Sequence, residues 1–425
     1  MPFGPHNATP QRAQRRSRAH SYYTRGSFYG RSSACVLYDL AHSCRKEAIE
    51  HHSPLWMAVV GLTDHYLHGR TSAEQYSQEV VELAQRVADC PGGEASLGEG
   101  GTVAAFAQRR LAYSSEFRFM LLRHWSLYEA MVHAPYTAVR LQTWTEPGRR
   151  ALDRLLAETG LPLAECRQQF RHMSTQATSA LQGRLGSVAV AYGLGELSFW
   201  SFTRQHGAKL NVCASDAVFA VTALLEMPPV AGDTTGGQGA FERALSALGD
   251  GHFQLLRQGI QHAQRLQRAL VRTGGAALAG GCVVNAGAFR VVNLAQGGAA
   301  GGADAALLHH PMALLKLALF LQDAMLVQKP RGCKPLVLAA PDAGSGTGDV
   351  DAAMVLIIGI NSAPKLSDTH GNRFALSFRQ AAEAVRAPFV HDCFEAAVVR
   401  LAASHLGPFL EQLQSEMEDL AANAG

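Results

Sequence analysis

The sequence predicts a protein of mixed α and β structure, with a mainly helical first half and an α/β domain at its C-terminal end. Its 425 residues are 47% hydrophobic and 17% charged, which is typical of a globular chain of two or three domains. Apolar residues recur at helical spacing up to about residue 270. Beyond residue 280, short apolar runs alternate with helical segments, which indicates strands interleaved with helices.

The N-terminal residues predict an arm followed by two apolar segments. Residues 1–27 contain five arginines and no apolar periodicity, and are predicted to form a disordered basic arm. A helix is expected from Ser32 or Ser33. Its continuous apolar face consists of Ala34, Val36, Leu37, Leu40 and Ala41.

The next apolar segment starts at Trp56 and ends on a single acid, Asp64. It predicts either a core strand or a buried helix end. The Gly-Leu-Thr-Asp that closes it would bring the carboxylate to the edge of a sheet, where active-site acids are common.

Helical patterns dominate residues 70–230. The predicted helices cover residues 74–88, 106–132, 148–158, 163–173 and 216–226. Ser215 is the expected N-cap of the last helix. A loop rich in proline and glycine interrupts the helices at residues 90–101, and a glycine-rich break at residues 232–239 ends the region.

The final region, residues 240–425, reads as an α/β domain. It begins with a helix over residues 241–270, which Gly249 and Gly251 divide. Strands are predicted at residues 283–284, 289–294, 336–340 and 354–358. Helices are predicted at residues 312–327, 373–386 and 406–420.

Bulk properties exclude several functional classes. No stretch of about 18 uninterrupted apolar residues occurs, and the N-terminus lacks a signal-peptide pattern, so a soluble chain without a membrane partner is expected. Eight cysteines without a C-x-x-C pair indicate reduced thiols in an intracellular compartment. A net charge of +3 is too small for the whole body to bind nucleic acid generally. No phosphate-binding loop is present, and no cofactor is expected.

Several short segments, which occur in a fixed order along the chain, carry a resemblance to a known family. They are Trp56 to Tyr66, His124 to Tyr128, Tyr136 to Trp144, Gly160 to Leu163, Ala214 to Phe219 and Leu338 to Pro341. Over roughly residues 28–415 the chain resembles the eukaryotic cell division cycle protein 45 family, which descends from the RecJ/DHH phosphoesterases. The resemblance implies a remnant of a DHH-like domain at residues 28–69, a helical insertion and interdomain region at 70–230, and a DHHA1-like domain at 240–425. It also implies an N-terminally truncated sequence that exposes apolar faces within residues 28–70.

The function implied by the resemblance is binding, not catalysis. Members of the family act in initiation and elongation of DNA replication, in the nucleus, as a scaffold subunit of the replicative helicase. The expected partners are the minichromosome maintenance hexamer and the GINS complex, with single-stranded DNA and DNA polymerase as further partners. ATP would be hydrolysed by the partner, since this chain has no Walker motif.

The candidate site residues come from the resemblance in the case of Asp64, and from their residue types and spacing in the case of the others. Asp64 corresponds to a metal-ligand segment of the active phosphoesterases, but the Asp-x-Asp and Asp-His-His motifs are missing. Asp64 is therefore interpreted as a structural relic, with no catalytic residue and no metal expected. The basic and aromatic residues Arg118, Arg123, His124 and Tyr128, on one predicted helix, are the candidates for a partner or DNA interface. Trp125 and Trp144 are predicted to pack in the core.

Two other functions remain open at this point. The first is a DHH-type metal-dependent nuclease or phosphoesterase that acts on single strands. The second is a nucleic-acid binder that acts through the basic arm, whose five arginines also suit a linker or an import signal.

Overall fold

The fold is that of a computed structural model, which describes residues 12, 14–19, 29–44, 54–89, 111–206, 210–226, 237–249, 251–294, 305–329, 334–342, 353–361, 372–391 and 395–422. Within the predicted basic arm, residues 12 and 14–19 are helical and exposed. The remaining residues of the arm, the predicted loop at 90–101 and the glycine-rich break up to residue 236 lie outside the described residues.

The first half is mainly helical, as predicted. Its helices are α1 (Ser33–Ser43), α2 (Pro54–Leu67), α3 (Ala73–Asp89), α4 (Leu127–His133), α5 (Pro135–Leu141), α6 (Glu146–Glu158), α7 (Leu163–Arg167) and α8 (Thr175–Ala189). Side-chain caps define several starts. Ser72 accepts from the backbone N–H of Gln75, and Thr145 accepts from that of Gly148. The helix predicted at residues 163–173 is shorter, because it ends at Arg167 and only a 3₁₀ turn follows, at Phe170–His172.

A three-stranded antiparallel sheet lies within this helical half. Its strands are β1 (Leu111–Phe117), β2 (Ser198–His206) and β3 (Leu210–Cys213), in the order β1-β2-β3. The prediction of one helix over residues 106–132 is therefore wrong for residues 111–126, whereas residues 127–132 are helical and belong to α4. Leu111 pairs with Arg204 and Phe117 with Ser198, so a partner strand about 80 to 90 positions away decides this local structure.

Three long helices connect the two halves of the chain: α9 (Ala214–Glu226), α10 (Gly237–Leu248) and α11 (Phe253–Ala279). The predicted division near Gly249 and Gly251 is confirmed. Ser215 is not the N-cap of α9. The helix begins at Ala214, and the Cys213 sulfur accepts from the Asp216 backbone N–H. Helix α11 continues past residue 270 to Ala279. Gly275 leaves room there for Trp144, which lies only 2.5 Å from where a Cβ would be.

The C-terminal part is a six-stranded sheet with helices on both faces. Its strands are β4 (Val283–Ala286), β5 (Phe289–Asn293), β6 (Leu336–Pro341), β7 (Met354–Ile360), β8 (Phe389–His391) and β9 (Val398–Ala402). The helices are α12 (Pro311–Gln328), α13 (Phe374–Ala384) and α14 (Leu406–Ala422). All seven predicted elements of this part are confirmed, and β8 and β9 are additional.

The sheet has the order β4-β5-β6-β7-β9-β8, in which β5 and β6 form the parallel pair and the other pairs are antiparallel. Alternate residues of β6 and β7 face opposite layers: Leu338 and Ile358 pack with α11 and α12, whereas Val337 and Ile357 pack with α13 and α14. Burial on both faces explains why these strands read as continuous apolar runs.

A single apolar core joins α1 to the start of α11. It contains Trp56 on α2, Tyr76 on α3 and Trp125 before α4, so the core position predicted for Trp125 is confirmed. Trp144 is partly buried and packs edge-on against Phe320, at 5.5 Å between ring centroids.

Helix α1 has apolar side chains on its solvent-facing side as well as on its buried side. Cys35 and Tyr38 are buried, whereas Val36, Leu37 and Leu40 are 51%, 63% and 59% exposed. These three side chains are neighbours on the helix surface and form an exposed apolar patch, as expected for this part of the chain.

Helix α12 is long and apolar enough to cross a bilayer by length and composition, and it is the one such helix among the described residues. Sixty-one per cent of it is buried within the protein, against β6, β7 and α11. It carries Lys316 and Asp323. These features are those of a core helix.

Candidate functional site

Asp64 lies in the last turn of α2, not at the edge of a sheet, so the strand alternative is wrong. Its two carboxylate oxygens have different partners: Oδ1 is 2.9 Å from Nδ1 of His68, and Oδ2 accepts from Nη1 of Arg70 at 2.7 Å. Burial opposes ionisation, but the hydrogen bond from His68 and the charge of Arg70 lower the pKa of Asp64 to about 2.

Arg70 and His68 are almost completely enclosed. The side chain of Arg70 is 1% exposed and that of His68 is fully buried. Burial lowers the pKa of His68 below its ordinary range, so its ring is neutral at pH 7, and its Nδ1–H donates a hydrogen bond to the Asp64 carboxylate. The guanidinium of Arg70 also lies 4.0 Å from the carboxylate of Glu395, which precedes β9, and 5.8 Å from the ring centroid of Tyr29.

Two more buried charges extend this group toward α12. The Lys316 ammonium lies 4.3 Å from the ring centroid of Phe219. Burial lowers the pKa of Lys316 to about 8, against the opposing effect of Glu226. The carboxylate of Glu226, at the end of α9, accepts from the backbone N–H groups of Met312 and Ala313, and so caps α12 from another helix. We call Asp64, His68, Arg70, Glu226, Lys316 and Glu395 the Asp64 cluster.

The Asp64 cluster does not fit a divalent metal ion. Both oxygens of Asp64 are engaged by nitrogen groups, and Arg70 and Lys316 place positive charge where a cation would bind. Within the described part of the chain, no group of three or more His, Cys, Asp or Glu side chains has the arrangement of a metal site. The cluster instead connects α2 and α9 with α12, and with Glu395 in the segment that precedes β9.

A polar cavity of about 220 Å³ lies beside the cluster, between Tyr29, Arg31, His65 and α3. Its cationic lining groups are paired within the protein: Arg31 contacts Glu79 at 3.0 Å, and Arg70 contacts Asp64. The cavity therefore offers little unpaired charge to a ligand.

Arg118 directly follows β1, and its guanidinium contacts three aromatic side chains and one carboxylate. Its Nη1 donates to the Tyr66 hydroxyl at 2.8 Å, and its guanidinium lies 5.6 Å from the ring of Tyr136 and 5.7 Å from that of Phe199. The side chain is 24% exposed, and its Nη2 reaches the exposed carboxylate of Glu196 at 3.3 Å.

Arg123 and His124 lie in a 3₁₀ turn at Leu122–His124, and both contact buried carboxylates. Arg123 forms a bidentate ion pair with Glu116: its two Nη atoms donate to the two carboxylate oxygens, with 2.8 Å between Nη2 and Oε1. The Nε2 of His124 is 3.2 Å from Asp216, whose other oxygen accepts from the Leu121 backbone N–H at 3.0 Å. Leu121 has a φ of 58°, and this hydrogen bond supports its left-handed conformation.

The four predicted interface residues thus do not share one helix. Arg118 follows a strand, Arg123 and His124 form a turn, and Tyr128 lies on α4 with its ring 4.8 Å from the guanidinium of Arg167. Sequence reasoning did not single out Glu116 or Asp216, the buried partners. Asp216 lies in the segment Ala214 to Phe219, one of those that carry the family resemblance, and this is the signal that could have identified it.

An exposed aromatic pair was also not predicted. Trp200 on β2 is 57% exposed and stacks on Tyr113 of β1, with 4.9 Å between ring centroids. Its backbone carbonyl accepts from the Tyr76 hydroxyl at 3.2 Å, which fixes the strand beneath it.

These features define a protein of mixed α and β structure with two sheets. Its buried charged side chains, in the Asp64 cluster and at Glu116 and Asp216, lie against groups of opposite charge or hydrogen-bond donors within the protein. The sequence model of the CDC45 family matches residues 5–416. The chain belongs to the CDC45 family.

Relatives and a solved structure agree with this assignment. The chain is 33% identical to the cell division control protein 45 homolog of Schizosaccharomyces pombe, over 92% of this chain and 65% of the relative. It is 29% identical to that of Homo sapiens, over 92% of this chain and 66% of the relative. The chain therefore spans slightly less than two thirds of these relatives. Their names give no enzymatic activity. The crystal structure of CDC45 from Entamoeba histolytica has the same fold, with a TM-score of 0.68 at 21% identity, over 92% of this chain and 73% of that one.

Proposed function

We propose that this chain acts in chromosomal DNA replication as a non-catalytic scaffold subunit of the replicative helicase, in the nucleus. Its partners in this proposal are the minichromosome maintenance hexamer and the GINS complex. The observation that carries it is the family match over residues 5–416, together with an Asp64 carboxylate that is engaged by Arg70 and His68. The proposal includes descent from a DHH-type phosphoesterase, with residues 240–425 as the DHHA1-like domain.

The internal pairing of Asp64 supports loss of metal chemistry. Metal-assisted phosphate cleavage needs several oxygen or nitrogen ligands that are free to bind one or two ions. In the Asp64 cluster, both carboxylate oxygens of Asp64 are already engaged by nitrogen groups of His68 and Arg70. The competing nuclease function is therefore disfavoured.

The purified chain is expected to leave single-stranded DNA intact in the presence of Mg²⁺ or Mn²⁺. The measurement is a gel assay with end-labelled oligonucleotide, and an Asp64→Asn variant serves as the control. Cleavage by the wild type that is lost in Asp64→Asn would support the nuclease and refute the non-catalytic proposal.

Association with the helicase partners is proposed to use the region of residues 70–230. Exposed Trp200 is the best-defined candidate, because tryptophan is enriched among interface residues that contribute most to binding. Arg118 and Arg123 remain candidates, but their internal ion pairs make them poor test positions, since their replacement also changes folding.

Replacement of Trp200 by alanine is expected to weaken co-purification with the hexamer and GINS by about tenfold or more, because a truncated aromatic anchor typically costs about 2 kcal/mol. The matched control is Phe241→Ala, which removes an aromatic ring with 58% exposure outside the region of residues 70–230. Loss of binding in the control alone would place the contact elsewhere. A wild-type chain that does not co-purify at all would refute the helicase role.

A further inference from the structure

Helix α11 carries an exposed row of arginines. Arg257, Arg265, Arg268 and Arg272 are all exposed on one helix, and they extend over about 22 Å at 1.5 Å per residue. Its 27 residues contain no aspartate or glutamate. The opposite face packs in the core through residues such as Leu256, Ile260 and Ala263. We call these four arginines the arginine row.

Two of these four arginines, Arg268 and Arg272, already interact within the protein. Arg268 contacts Glu129 of α4, with 3.3 Å between Nε and Oε2, and both side chains are partly exposed. Within the described part of the chain, no carboxylate lies within ion-pair distance of Arg257 or Arg265. Arg265 also lowers the pKa of neighbouring His262, after the larger effect of burial. The row is thus a positive surface on a chain whose net charge is only +3.

We propose that the arginine row is a docking surface for an acidic, extended peptide segment of a partner protein. Guanidinium groups bind carboxylates through paired hydrogen bonds, as Arg123 and Glu116 do within this protein. Gln254, Gln258 and Gln261 are exposed on the same helix and supply amide groups for the backbone of such a segment.

A single-stranded nucleic acid fits this surface less well. Binding of single strands relies on aromatic rings on which successive bases stack. Phe253, at the first residue of α11, is the single phenylalanine, tyrosine or tryptophan of the helix, and it lies about 6 Å along the axis from Arg257 and about 22 Å from Arg268. One ring at one end cannot stack bases along the row, whereas it can contact one apolar residue of a peptide. This surface is independent of the helicase role proposed above.

The test measures binding of a fluorescein-labelled, glutamate-rich peptide to the full chain by fluorescence anisotropy at low salt. The double variant Arg257→Glu, Arg265→Glu is expected to lower the affinity by about tenfold or more, because reversed charges repel the ligand. The double variant Arg257→Gln, Arg265→Gln is expected to show a smaller loss. The control is Arg154→Glu, Arg379→Glu, which makes the same change in net charge at two other exposed positions.

The outcomes separate three interpretations. Loss in the row variants with retained binding in the control supports the proposal. Equal loss in row and control variants overturns it in favour of general charge attraction, and unchanged binding in the row variants overturns it outright. A labelled oligothymidylate is measured in parallel. If the row variants lose this ligand and not the peptide, the surface binds nucleic acid and the proposal is wrong.

Discussion

Replacement of Arg70 by alanine is expected to lower the free energy of unfolding by about 3–5 kcal/mol, the usual cost of removing one partner from a buried ion pair. The guanidinium is 1% exposed and lies between the carboxylates of Asp64 and Glu395. Its removal takes the cationic hydrogen-bond partner from Asp64 and removes a positive charge beside the buried carboxylate of Glu395. Urea unfolding of the purified chain, followed by tryptophan fluorescence, measures the change.

The control for Arg70 is Arg154→Ala, which removes an exposed arginine from α6 and is expected to change stability by less than about 0.5 kcal/mol. A pH series gives a second readout. The pKa of Asp64 is about 2 in the folded protein, below the ordinary value of 3.8. Its contribution to stability is therefore present above about pH 4 and disappears as the pH falls toward 2. Without Arg70, this acid-dependent contribution should shrink. Equal stability of the wild type and Arg70→Ala from pH 7 to pH 3 would show that the cluster does not stabilise the fold.

Charge reversal at Arg123 is also expected to lower the free energy of unfolding strongly. Arg123→Glu would place a carboxylate against Glu116, which is 5% exposed, and would remove the paired hydrogen bonds that now neutralise it. We expect a loss of about 4 kcal/mol in the free energy of unfolding, before any partner protein is present. Arg123→Lys should cost less, because one ammonium keeps the charge but not the two parallel hydrogen bonds.

The matched control is Arg171→Glu, a reversal at an exposed arginine in the same half of the chain. It should unfold at nearly the wild-type urea concentration. If Arg123→Glu is as stable as this control yet fails to bind the helicase partners, Arg123 is an interface residue and its pair with Glu116 is dispensable. A destabilised Arg123→Glu explains any loss of binding without an interface.

Several elements of the C-terminal part follow from the sequence pattern alone. The strands at residues 336–340 and 354–358 were predictable because burial on both sheet faces requires continuous apolar residues, whatever the strand order. The helices α12, α13 and α14 were predictable from helical periodicity to within three residues at each end. Residues 111–117 were not, because their strand conformation depends on pairing with residues 198–204.

The sequence by itself determined the family, the mainly helical first half and four of the six strands of the C-terminal sheet, since these depend on local periodicity and on the order of short motifs. It also identified Asp64, Arg118, Arg123 and His124 as residues of interest. Only the tertiary structure decided their partners. The chain brings Tyr29 and Arg70 to Glu395, and His124 to Asp216, across distances in sequence that no spacing rule encodes. A charged side chain removed from water must be paired with whichever opposite charge the fold places within reach, and that choice belongs to the packing of distant segments.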